Sequence, residues 1–131
     1  MEIIQPPGWP RPKGYSNGML ADGKMLFIGG QIGWDENEQI VSDEFVAQVR
    51  QTLLNTKAVL SAANANPSHI ARMTWYITCR DEYLENLKAI GAVYREIIGK
   101  HFPTMAMVEV TALMECRAKV EIETTAVIPY E

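Results

Sequence analysis

Cysteine and histidine are scarce in this chain, with two of each among 131 residues. Cys79 and Cys116 form no C-x-x-C pair and have no histidine at ligand spacing, so they read as free thiols of a reducing, cytoplasmic compartment. His69 and His101 stand apart from one another and outside any H-E-x-x-H pattern. The expectation is therefore no metal and no cofactor, with both histidines at surface or turn positions. No apolar run approaches the roughly 18 residues of a membrane span. The opening stretch "MEIIQPPGWPRPKGYSNG" lacks the apolar centre of a signal peptide and reads as a proline-rich extended arm. Positive charge is also short, 12 Lys and Arg against 16 Asp and Glu for a net charge of −4. Nucleic-acid binding relies on clustered cations that neutralise phosphates, and that class is set aside together with membrane partners. Internal repeats and low-complexity linkers are missing too, so residues 1–131 are expected to form a single domain, large enough to bury roughly two-thirds of its unfolded surface.

What is present is a regular alternation of patterns. After the arm, Tyr15 to Leu20 and Met25 to Ile32 read as a hairpin turning at Asp22-Gly23. Gly29-Gly30 interrupts the second strand and marks either a plain bulge or a close approach by another group. Ser42-Asp43-Glu44 opens a helix whose stripe is Phe45, Val49, Leu53, Thr56 and Leu60, ending at Asn64-Ala65-Asn66-Pro67. "MTWYIT" at 73–78 is a strand, and a second helix from Asp81 carries Tyr83, Leu87, Ile90, Tyr94 and Ile97 before Gly99. Strands around Met105 to Ala112 and Ala118 to Ile128 complete a β-β-α-β-α-β-β order. The class is α+β, with both amphipathic helices able to lie on one face of the sheet and nothing in the chain left to cover the other. Further copies of the chain are the simplest cover.

Residues 108–127, "VEVTALMECRAKVEIETTAV", place three carboxylates in strand-forming surroundings. Alternation puts Val120, Ile122, Thr124 and Ala126 on one side and Glu121, Glu123, Thr125 and Val127 on the other. On the preceding strand the same reasoning groups Met107, Glu109 and Thr111 with the acids, and Val108 and Val110 with the core. The acidic side is either solvated, with Lys119 and Arg117 as partners, or buried between subunits with its carboxylates paired or hydrogen-bonded.

Taken together, Gly14-Tyr15, "FIGGQIG" at 27–33, "QVRQTLLNTKAVL", Phe102-Pro103, and "VEV" followed by "VEIETTAV" resemble the RidA/YjgF family, also labelled endoribonuclease L-PSP and reactive-intermediate deaminase. The resemblance implies a chorismate-mutase-like fold assembled as a homotrimer with clefts at the subunit interfaces. It also implies hydrolysis of reactive enamines and imines to carbonyl compounds and ammonia, without metal or cofactor, as in a 2-iminobutanoate/2-iminopropanoate deaminase. Carried over residue by residue, Glu121 becomes the catalytic acid that positions water, and Tyr15, Gly30, Ile32, Met105 and Met107 become substrate-binding positions. The chain departs from the family pattern where Met105 replaces the arginine that binds a substrate carboxylate and Met107 replaces a cysteine, while Gly29 and Gly91 stand where serine and asparagine are common. A thioether cannot make the paired, charge-assisted contact of a guanidinium. Arg72, Arg80 and Arg117 are other cations to consider, and Trp34 joins the methionines in making the cleft more apolar. The alternative reading is a non-catalytic trimer that binds a small metabolite. Ribonuclease activity rests on the family label alone.

Overall fold

The computed structural model describes residues 1–131. The elements run β1 (Glu2–Ile4), β2 (Gly18–Leu20), β3 (Lys24–Ile32), α1 (Phe45–Ala62), a 3-10 turn (Pro67–His69), β4 (Ile70–Ile77), α2 (Arg80–Glu85), α3 (Leu87–Ile97), β5 (Thr104–Glu109) and β6 (Val120–Ile128). A four-stranded mixed sheet has the order β3-β6-β4-β5, with β4 and β5 parallel and the other pairs antiparallel.

The helices form as their apolar spacing dictates. On α1, Phe45, Val49, Leu53, Thr56 and Leu60 are all buried, one face repeating every three or four residues. Asn64 at φ 57 takes the left-handed conformation that follows the helix end. Gln48, fully buried, would be costly without partners. Its amide donates to the carbonyls of Ser42 and Arg117 at 2.9 and 3.0 Å, and its oxygen accepts from the Lys119 amide at 2.8 Å. This one side chain therefore fastens α1 to the chain entering β6. The core itself joins α1 and α3 to the inner residues of β3, β4 and β6, with Met73, Trp75, Ile77, Val120 and Ile122 nearly inaccessible.

Four expectations are corrected. The hairpin does not form, because β2 pairs with β1 and β3 pairs with β6. Nine-residue β3 finds a nine-residue partner in β6, whereas β2 has three residues to offer. The second helix is broken between α2 and α3 at Asn86, whose side chain donates to the Glu82 carbonyl at 2.7 Å and competes with the helix ladder. The acids do not share a face. Met105 and Met107 lie beside Met73 and Trp75 and pack against the core, so Val108, paired with Tyr76, points to the open side. Glu109 pairs with Ile77 at the strand end and accepts from the Arg80 amide at 2.7 Å, on the side opposite Glu121. Finally, Lys119 and Arg117 pair with Glu82 and Asp43 and not with the acids of β6.

The open face carries Phe27 at 71% exposure, Met25 at 59% and Val108 at 41%, interleaved with Glu121, Glu123 and Tyr76. Nothing in the chain covers it, as its patterning predicts.

Tyr94 closes the inner side: its hydroxyl donates to the His101 carbonyl at 2.7 Å and its ring stacks on Phe102 at 5.9 Å. Burial pushes its phenol well above the ordinary tyrosine range. A raised folded-state value means that the associated stability is fully present below a pH of about 10 and is lost as pH rises toward the folded value. Tyr94→Phe should therefore cost about 1 kcal/mol at neutral pH through the missing hydrogen bond, yet show a shallower loss of stability in alkali. Denaturant titrations at neutral and alkaline pH check this. Parallel pH profiles for the two proteins would contradict it, with Tyr83, raised by burial, and Tyr76, raised by its hydrogen bond to Glu123, contributing to the dependence that remains in the variant.

Candidate functional site

The expected site residues fall into two groups. Gly30, Ile32 and Glu121 lie together where β3 meets β6. The register slips between Ile28 and Gln31, which makes Gly29-Gly30 a bulge, and pairing resumes with Ile32 opposite Glu121. Gly30 is needed there for space. A β-carbon on it would stand 2.0 Å from Glu121 Oε2 and 2.8 Å from Cδ, so the carboxylate lies directly against bare backbone. Gly29 has open space around it. The end of β3 is held from below by Asn55 of α1, whose amide donates to the carbonyls of Ile32 and Trp34 at 3.0 and 2.8 Å. Ile32 is 7% exposed.

Glu121 is half-buried on the open side, next to Tyr76 in the β4 register. The Tyr76 hydroxyl donates to Glu123 at 3.0 Å instead. That hydrogen bond, with burial and the nearby negative charge of Glu123 and Glu121, raises the tyrosine above its ordinary range. The chain's three ion pairs, Arg50–Glu96, Arg117–Asp43 and Lys119–Glu82, leave Glu121 out. Its carboxylate is thus positioned by packing alone.

Tyr15, Met105 and Met107 form the second group, at the β5 end of the sheet. The Ser16 amide donates to the Pro103 carbonyl at 3.0 Å and the Ser16 hydroxyl to the Phe102 carbonyl at 2.5 Å, which pins the arm alongside β5 and sets Tyr15 at its edge. A cleft of about 190 Å³ is bounded by Tyr15, Tyr83, Met105, Met107, Lys13 and Gly14. It continues into a cavity of about 250 Å³ that runs under α3 to Trp75, Ile90 and Tyr94. The methionines thus form apolar lining shared by core and cleft, a use that suits their flexible side chains.

One chain does not unite the two groups. With strands about 4.8 Å apart, β5 lies roughly 10 Å from β6 with β4 between them, and Glu121 and the methionines point to opposite faces. Of the cations considered, Arg117 is occupied by Asp43, Arg72 lies on the open face and Arg80 begins α2. Arg95 and Lys13 line the cavity instead. Sequence reasoning passed over both. The one available signal was the spacing of Gly91 and Arg95, one helical turn apart.

Gly30→Ala should push the Glu121 side chain aside and cost about 1–2 kcal/mol, the scale of mild overpacking. In a Glu121→Ala background the cost should largely vanish, since the three nearest atoms are then gone. A double-mutant cycle by thermal or denaturant unfolding measures the coupling. Additive effects would mean that residue 30 needs glycine for some other reason.

Comparison with known proteins agrees with this architecture. The family model described as Endoribonuclease L-PSP matches residues 10–128. Protein DfrA of Myxococcus xanthus is 35% identical over 119 residues, 86% of this chain and 84% of that one. The 2-iminobutanoate/2-iminopropanoate deaminase of Salmonella typhimurium is 32% identical over 108 residues, 80% of each chain. Among solved structures, the Rid-family protein YyfB of Yersinia pestis superposes with a TM-score of 0.85 at 29% identity, covering 97% of this chain and 98% of that one. Escherichia coli TdcF, solved with bound serine, gives a TM-score of 0.68 at 32% identity over 98% and 99%. The fold and the match along nearly the whole chain have one explanation: this protein belongs to the endoribonuclease L-PSP family, the RidA/YjgF proteins.

Proposed function

We propose that the protein is a deaminase that hydrolyses a reactive enamine or imine to a carbonyl compound and ammonia, at clefts formed between the copies of a homotrimer. The observation that carries this reading is the division of the site. A carboxylate that no donor or cation of its own chain engages sits on an uncovered apolar face, and the cleft that lacks a base sits on the far edge of the same sheet. Placing one copy's open face against another's β5 edge supplies each with what it lacks, and covers Phe27, Met25 and Val108 in the same step. The naming of several relatives as 2-iminobutanoate/2-iminopropanoate deaminases supports the reaction class.

In this reading the Glu121 carboxylate accepts a proton from a water molecule as that water adds to the electrophilic imine carbon. An enamine substrate first becomes the imine by taking a proton at carbon and giving one up from nitrogen. Addition breaks the C=N π bond, whose electron pair takes up a proton at nitrogen and gives a carbinolamine. The amino group then takes up a second proton, and loss of the hydroxyl proton re-forms a carbonyl as the C–N bond breaks, so that neutral ammonia leaves with its electron pair. The sum is imine plus water giving carbonyl plus ammonia. Gly30 leaves the carboxylate room to approach the backbone, and Tyr15, Met105, Met107 and Ile32 shape the space for substrate.

A second reading, a trimer that binds a metabolite without turning it over, is favoured by the lining: eight of the twelve residues around the larger cavity are hydrophobic. The two separate on Glu121→Gln, which keeps size and hydrogen bonding but removes the base. The deaminase reading expects ammonia release from freshly generated imines to fall by about a hundredfold or more, with the oligomer unchanged by native mass spectrometry. Wild-type protein that releases no ammonia from any imine offered, while still binding the matching carbonyl compounds, would leave the binding reading in its place.

A further inference from the structure

The cavity beneath α3 is apolar but carries charge of a single sign. Lys13 and Arg95 line it, no Asp or Glu does, and neither cation takes part in an ion pair of the chain. Arg95 is seated there by the helix itself. Side chains on a helix lean toward its N-terminus, so Arg95 lies over the turn that holds residue 91, four positions earlier. That position is glycine, and a β-carbon added to it would stand 3.3 Å from Arg95 Nη1. Glycine is a poor choice for the middle of a helix, and Gly91 has no left-handed backbone to account for it. What it provides is a recess in which the guanidinium rests beside the cavity. Trp75 forms part of the floor, and its indole N–H is buried with no acceptor in the chain. The site thus has two cations without counter-ions, one unsatisfied donor and walls of Tyr83, Leu87, Met105 and Met107.

We propose that Arg95, held in the Gly91 recess and assisted by Lys13 at the rim, is the anion anchor of this cleft, and that its ligand class is a monocarboxylate with a large apolar side group, aromatic or branched. Two cations at the cavity's exposed edge call for an anion, and the apolar wall beside them favours one small charged head on a bulky body. Placed in the deaminase, on which this inference rests for its reaction, the class becomes 2-imino acids with aryl or branched side chains. A guanidinium in the last turn of α3 also suits the negative end of the helix dipole. That role would show in stability and leave ligand affinity unmoved.

The test is a calorimetric titration of the full-length protein with 3-phenyl-2-oxopropanoate, with its uncharged amide and with 2-oxobutanoate. Wild type should bind the bulky acid at least about tenfold more tightly than either comparison compound. Arg95→Gln should weaken the bulky acid by about ten- to a hundredfold, the range of one charge-assisted contact, with the amide and the thermal midpoint little changed. Arg95→Lys should restore part of the loss, and Lys13→Gln should have a smaller effect in the same direction. Arg95→Gln binding the acid as wild type does, 2-oxobutanoate binding as tightly as the bulky acid, or no binding of any probe would each overturn the proposal. Ammonia release from the matching imines is followed on the same samples. Turnover with binding that ignores Arg95 overturns the anchor and leaves the deaminase standing. Arg95-dependent binding without turnover upholds the anchor and removes the deaminase.

Discussion

The contact on which this molecule turns is a carboxylate lying against backbone that has no side chain. Glu121 occupies the space a β-carbon at residue 30 would need, and that space exists because a bulge re-aims the end of β3 just where β6 begins. Asn55 fixes the β3 end from α1, and Gln48 fixes the β6 end from the same helix. The helix layer therefore sets the position of an acid on the opposite side of the sheet. No salt bridge is spent on holding it. A carboxylate positioned by packing keeps its lone pairs for something else, which is what general-base work requires.

The second constraint is the uncovered face. Phe27 at 71% exposure is a cost in water that a finished molecule avoids, and it lies on the same face as Glu121. In the proposed trimer, oligomerisation and completion of the site are one event, since the exposed apolar residues and Glu121 lie on the same face. On the β5 side, Ser16 stitches the arm to Phe102 and Pro103 so that Tyr15 stands at the cleft mouth. The cleft behind Tyr15 is lined by methionines, with a glycine under Arg95.

Helix α1 was legible in the sequence because a stripe such as Phe45, Val49, Leu53, Thr56 and Leu60 has only one way to meet a sheet, whereas the break at Asn86 left no mark on the stripe of the second helix. So was the β6 alternation, where the inner set of Val120, Ile122, Thr124 and Ala126 is buried. Strand β5 misled for a physical reason. Met105 and Met107 alternate with Ala106 and Val108, both sets are apolar, and local pattern cannot say which faces the helices. The parallel register with β4 decides it. The pairing of β3 was equally out of reach, since Met25 and Phe27 find Val127 and Thr125 some hundred residues away while a turn signal stands next to them. Among the candidate site residues, the glycines and Glu121 stand in a legible motif, whereas Arg95 looks in sequence like any charge on the wet side of an amphipathic helix. Only the empty place at Gly91 shows where it goes.

Whether the acid of one copy serves the cleft of another is tested directly by subunit complementation. Glu121→Gln removes the acid and Met105→Trp fills the cleft, so trimers of either variant alone should be inactive. Trimers containing both, purified through two different tags, have one interface that joins an intact acid to an intact cleft, and should recover roughly one-third of wild-type ammonia release by cyclic counting. Mixed trimers as inactive as their parents would contradict it, because the acid and the cleft would then have to belong to the same chain.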